Sequence, residues 1–192
     1  MRRYLLAAAL VATLTGCTST TSGTAAPRSS TTRTTPSPTT SASTAPSSTR
    51  PREIRLDGKK PCDLITAEQL AVFGEFTAPR PNTSSFFNAP NCDFSADGAF
   101  WNITTVTTEG IEEWTSGKRK GQATEISPIT GFPAIAVTLP TDQVRCNVAI
   151  DIANGQYLYT GFEVSKSYAD KFPKPCDGAR IVAEAAMQNL LK

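Results

Sequence analysis

The sequence predicts an α+β domain: one antiparallel sheet of five or six strands, helices packed on one face, and two disulfides. Three observations carry that expectation. Runs rich in Val, Ile, Phe, Tyr and Thr flank the hairpin dipeptides Asp97-Gly98 and Asn154-Gly155. The C-terminal stretch carries an apolar stripe near the helical period, through Ala179, Val182, Ala183, Ala186, Met187 and Leu190. Four cysteines, Cys62, Cys92, Cys146 and Cys176, form an even set in a chain whose start reads as an export signal.

The elements follow in order. Thr66 and Gln69 make a Thr-x-x-Gln capping box, Leu70 and Phe73 give an apolar face and Gly74 a stop, so a short helix is expected over residues 66–73. Ala78 to Pro90 has no period and reads as a long loop carrying the adjacent pair Phe86-Phe87. Asn91 to Ala96 and Ala99 to Thr108 form a hairpin with Phe94 facing Trp101 and Cys92 facing Ile103. Glu109 to Arg119 has acids in its first turn and bases in its last, with Ile111 and Trp114 three apart, which suits a second short helix. Ala123 to Ile129 and Ala134 to Leu139 are strand-like, punctuated by Gly131-Phe132-Pro133. Val144 to Ala153 and Gln156 to Val164 form a hairpin through a type I′ turn at Asn154-Gly155, which places Cys146 opposite Glu163. Asp177 is the expected cap of the last helix.

With no Cys-x-x-Cys pair and no His, the four domain cysteines favour disulfides over a metal site. The hairpins bring Cys92 within reach of Cys62, and Cys146 within reach of Cys176. Sequential pairing leads among the three possible connectivities, and the other two stay open. Each such bond closes a loop of about 30 residues and contributes about 3 to 4 kcal/mol in the chain-entropy picture.

The first residues specify an address. Arg2 and Arg3 precede an apolar run from Leu5 to Leu14, about ten residues, where a membrane span needs about twenty. Leu14-Thr15-Gly16-Cys17 then matches the lipoprotein processing pattern of an aliphatic residue, two small residues and Cys. That resemblance implies a diacylglycerol on Cys17 and cleavage just before it. Two acyl chains make anchoring stable where one is marginal. The chain therefore divides into a leader at 1–16, a lipidated Cys17 with a disordered Thr/Ser/Pro tether through 58, and an α+β domain at 59–192. The tether has almost nothing apolar to bury and cannot offset the entropy of ordering. About 35 such residues span roughly 35 Å as a coil and about 110 Å as polyproline II. Their composition also suits an O-glycosylated stalk, with a bare polar linker as the alternative.

Charge and composition exclude several chemistries. Leader and tether hold six arginines and no acid before residue 53, which leaves 13 basic against 17 acidic groups beyond it, a net of −4. A mildly acidic domain argues against nucleic-acid binding. The absence of His removes imidazole-activated nucleophiles and the usual metal-hydrolase ligand sets, and no Gly-rich phosphate loop is present. No catalytic residue, metal or cofactor is expected, and the protein is read as a monomer that is not an enzyme.

Pro61-Cys62-Asp63-Leu64-Ile65-Thr66, Asn91-Cys92-Asp93-Phe94, Gly131-Phe132-Pro133-Ala134, Cys146 heading an alternating strand, Gly155-Gln156, and Cys176 before an Ala-rich helix together resemble the actinobacterial lipoprotein family catalogued as domain of unknown function 3558. The resemblance covers the domain and implies fold, export and disulfides; it implies no activity. Phe94 stands where members usually carry Trp. Two functions are expected from the sequence. One is a non-catalytic binding module held on the extracytoplasmic face of the cell membrane, with a protein, glycan or lipid ligand and Phe86 and Phe87 as candidate contacts. The other is an assembly accessory of a larger envelope complex.

Overall fold

The computed structural model describes residues 49–192. The expected leader, Cys17 with its expected lipid, and the tether as far as residue 48 lie outside the described residues. Seven strands form one antiparallel sheet in the order β1-β2-β3-β7-β6-β5-β4. They are β1 Arg80–Ser84, β2 Ala89–Ala96, β3 Ala99–Val106, β4 Gln122–Ile129, β5 Phe132–Leu139, β6 Asp142–Ala153 and β7 Gln156–Val164. The expectation of five or six strands is corrected by β1, which lies within the stretch read as a loop. Its Arg-Pro-Asn-Thr-Ser sequence is almost wholly exposed and has no apolar alternation. It is a strand only because it pairs with β2, from Arg80 opposite Asp93 to Ser84 opposite Ala89. Pro81 is tolerated because β1 lies at the sheet edge.

The first face of the sheet carries the larger core. Phe94, Trp101, Ile103, Val148, Ile150, Leu158 and Phe162 pack there with Leu70 of α1 (Ala67–Leu70) and with Val182, Ala183, Ala186 and Met187 of α3 (Pro175–Leu190). The second face also carries a helix, so the expectation of helices on one face alone is corrected. Trp114 of α2 (Glu112–Thr115) joins Phe87, Val106, Ile135, Val137, Ala149, Tyr157 and Tyr159 in a separate buried cluster. A sheet whose second face bears Tyr and Val must cover them too, and one helical turn and a loop do so.

Local signals account for most of the boundaries. Both halves of the Thr66–Gln69 capping box are present, and Gly74 ends that turn with φ 79°. The Asp97-Gly98 hairpin has the expected register, Phe94 opposite Trp101 and Cys92 opposite Ile103. The second hairpin is corrected by one residue: Cys146 faces Phe162, and Arg145 faces Glu163. A register shift between Asp151 and Ala153 causes this. Asn154 has no positive φ, whereas Gly155 has φ 68°, so this turn is not type I′. The left-handed pair falls instead at Thr130 (φ 51°) and Gly131 (φ 88°), between β4 and β5. Asp177 is not the cap of α3. Lys174 is, with Pro175 opening the first turn and Asp177 placed inside it where the helix dipole favours an acid.

Sequential disulfides are present: Cys62–Cys92 ties an N-terminal 3-10 turn, Pro61–Leu64, to β2, and Cys146–Cys176 ties β6 to α3. The folded unit begins before residue 59. Ile54 N–H donates to Ile152 O at 2.8 Å, and Leu56 is buried in the main core. Among the described residues no helix is long and apolar enough to cross a membrane.

Candidate functional site

Phe86 and Phe87 sit on the turn between β1 and β2 and have different fates. Phe87 is 5% exposed, with its ring centroid 4.8 Å from that of Tyr159 and 6.3 Å from that of Trp114. Phe86 is 53% exposed and lies 4.7 Å from Phe87. Arg119 covers both rings, its guanidinium carbon 4.6 Å from the Phe86 centroid and 5.2 Å from that of Phe87. The same guanidinium meets Glu109 with a 2.6 Å N–H···O contact and donates to Phe86 O at 3.2 Å. The loop is thus closed over the sheet as a lid. Of the two expected contact residues, Phe86 alone is open to a partner; Phe87 is core.

Beneath the lid, Tyr157 donates its hydroxyl proton to Glu109 Oε1 at 2.6 Å and accepts from Trp114 Nε1 at 3.1 Å. Burial, with the Glu109 carboxylate as the second cause, raises the Tyr157 pKa far above the ordinary phenol value. Burial does the same to Tyr159. Both hydroxyls therefore hold their protons more tightly than a free phenol does. Among the described residues no group of three or more metal-ligating side chains gathers.

The first face opens a cleft of about 530 Å³ between the 56–63 segment and the β1–β3 end of the sheet. Leu56, Pro61, Cys62, Pro81, Pro90 and Thr105 line it, with Lys59 and Lys60 at its rim. Two restraints hold its wall in place. One is the Cys62–Cys92 bond. The other is Gln156, which accepts from Leu56 N–H at 2.7 Å and donates to Asp57 at 2.8 Å, holding the exposed Asp57 carboxyl below its ordinary pKa. Thr105 is 1% exposed and its hydroxyl has no partner among the described residues. Buried hydroxyls are nearly always paired, so an orphan beside a cleft marks a place where a ligand atom could complete the pairing. Clefts of about 430 and 570 Å³ open elsewhere, and neither is lined by such an atom.

The second face carries a polar row that the sequence reading missed. Asp93, Asn102, Gly161 and Asn147 lie side by side across β2, β3, β7 and β6. Asn91 accepts from Asn102 at 3.0 Å and from Thr104 at 2.7 Å, and donates to Asn82 and Asp93. A signal for it existed: Gly161 interrupts a strand otherwise rich in large residues, which marks a close approach.

Comparison with curated proteins and with solved structures finds no match. A family model described as "Protein of unknown function (DUF3558)" matches residues 12–189, from the region preceding Cys17 through almost all of α3. With both disulfides and the hairpin framework in place, the chain belongs to that family.

Proposed function

We propose that this protein is an extracytoplasmic lipoprotein that displays a non-catalytic binding domain, anchored to the cell membrane by a diacylglycerol on Cys17. The cleft under the Cys62–Cys92 bond is the observation that carries the reading. Its size lies in the usual range for small-ligand sites, and it is walled largely by apolar groups with a few polar atoms. An assembly accessory would need a flat interface and no cleft, so the binding role is favoured over it. The ligand is an apolar group of an envelope component, entering beside the lysine rim.

Two measurements test this. Cys17→Ala should release the protein from washed membranes into the soluble fraction; a variant that stays membrane-bound removes the anchor. Full-length protein should enhance the fluorescence of the apolar probe N-phenyl-1-naphthylamine. Pro81→Trp, at the exposed cleft mouth, should reduce that enhancement severalfold with no loss of thermal stability. Equal enhancement by the variant places the probe elsewhere and overturns the cleft as the site.

A further inference from the structure

Gly161 sits in β7, the central strand, between Asn102 of β3 and Asn147 of β6. A glycine there weakens a strand by about 0.5–1 kcal/mol relative to Ala. The local geometry explains why no larger residue fits. A Cβ at this position would lie 2.5 Å from Asn102 Oδ1 and 2.8 Å from Asn147 Oδ1. Two amide oxygens therefore converge over bare backbone, no more than 5.3 Å apart by the sum of those distances.

Both amides are held in that orientation from behind. Asn102 Nδ2 donates to Asn91 Oδ1 at 3.0 Å and to Thr104 Oγ1 at 3.3 Å. Asn147 Nδ2 donates to Val137 O at 3.3 Å. With the nitrogens committed, the oxygens are the atoms turned to the notch, and no donor within the described residues reaches either. The next residue on this face, Tyr159, is 8% exposed, and its hydroxyl likewise makes no hydrogen bond among the described residues. On the other side lies the Arg145–Glu163 ion pair, partly open to solvent.

We propose that this notch binds a neutral, hydroxyl-rich ligand, a carbohydrate, through two neighbouring hydroxyls of one sugar ring. The oxygens accept one hydroxyl proton each, and the spacing suits adjacent hydroxyls better than the widely spaced N–H groups that an extended peptide shows to one side. Strand addition is closed to a peptide here, because β7 is already paired on both edges. An ammonium group is disfavoured by charge. The nearby carboxylates are engaged, Glu163 with Arg145 and Asp93 with Asn82 and Asn91. Arg145 and the Tyr159 hydroxyl supply the donors that a sugar oxygen needs in return. Phe100, partly buried two residues from Asn102 on the same face, offers an apolar edge for a sugar ring. The two converging oxygens line no part of the cleft, although Asn91, which orients Asn102, borders both.

The experiment titrates full-length protein with neutral oligosaccharides, namely maltoheptaose, xylohexaose, mannohexaose and an arabinofuranose hexamer, and with n-butylammonium as the competing class. Side-chain amide NMR signals of Asn102 and Asn147 are the readout. At least one sugar should shift both signals saturably. Asn147→Ala should weaken that binding at least tenfold with a thermal midpoint within a few degrees of the parent, and Gly161→Ala should weaken it likewise while lowering the midpoint, because its Cβ crowds both amide oxygens. No response to any of the sugars overturns the proposal, as does a stronger response to n-butylammonium. Sugar shifts that persist unchanged in both variants also overturn it. Probe fluorescence in the cleft should be unaffected by either variant.

Discussion

Single atoms decide much of the behaviour of this domain. Thr105 and Trp101 each bury a polar atom with no partner in the described residues, Oγ1 and Nε1 respectively. Trp101 offsets this by stacking between Phe94 and Phe162, with centroids 6.0 Å from each. Thr105 has no such compensation in the unliganded domain, so its hydroxyl costs stability there. Thr105→Val keeps the branched shape that suits a strand and removes the orphan. It should raise stability by about 1 kcal/mol, read as a higher denaturant midpoint with unchanged slope. A drop of that size would mean that the hydroxyl is satisfied in solution.

At the scale of elements, close approach overrides propensity. Gly178 lies in the first turns of α3, where Ala would be better by up to about 1 kcal/mol on helix propensity alone. Its Cβ, however, would lie 2.3 Å from the Phe162 ring on β7, which is itself pinned between Trp101 and Phe73. Gly178→Ala should therefore destabilise by about 1–3 kcal/mol through overpacking. Thermal unfolding checks the sign, since a stabilised variant would show that α3 can lift off the sheet without loss. The β4–β5 turn shows a similar override. Thr130 holds φ 51°, unusual for a branched residue, because Ile129 and Phe132 are both buried and paired across the turn. The packing of those two side chains outweighs the local cost.

For the whole molecule, the two buried tyrosines set an alkaline limit. The unfolded chain releases phenolic protons near pH 10, whereas the folded domain keeps those of Tyr157 and Tyr159 to higher pH. Between those values the folded state binds more protons, so stability falls as pH rises. The contribution is fully present below about pH 10 and is lost progressively above it. Denaturant midpoints should hold to about pH 10 and decline above it, with tyrosinate absorbance from this pair appearing only as the domain unfolds. A flat profile would place both hydroxyls in contact with water. The disulfides act at the same scale, one at each end of the chain order. Cys62–Cys92 fastens the entry segment that frames the cleft, and Cys146–Cys176 fastens the last helix to the sheet.

The sequence by itself determined the α+β class, six of the seven strands and the capping box, and it put sequential pairing first among three disulfide connectivities, a choice that the fold then made. Each of these is written in local chemistry: alternation, hairpin dipeptides, a helical stripe, and cysteines brought close by short connections. The sequence singled out Phe86 and Phe87 without dividing their roles, and only the fold buries Phe87 while leaving Phe86 53% exposed. Tertiary structure alone decided β1, the one-residue register of the β6–β7 hairpin and the helix on the second face. β1 has no apolar pattern and exists through its partner. The register depends on a bulge between Asp151 and Ala153 that no residue type announces. The cleft and the Asn102–Gly161–Asn147 notch were hidden for the same reason. Asn102 lies 45 positions from Asn147 and 59 from Gly161 and becomes their neighbour only when β3 pairs with β7, and the cleft forms only when the 56–63 segment packs beside the β1–β3 end of the sheet. Local sequence fixes what a segment can become, but a site assembled from distant strands depends on their pairing, and pairing is a property of the folded molecule.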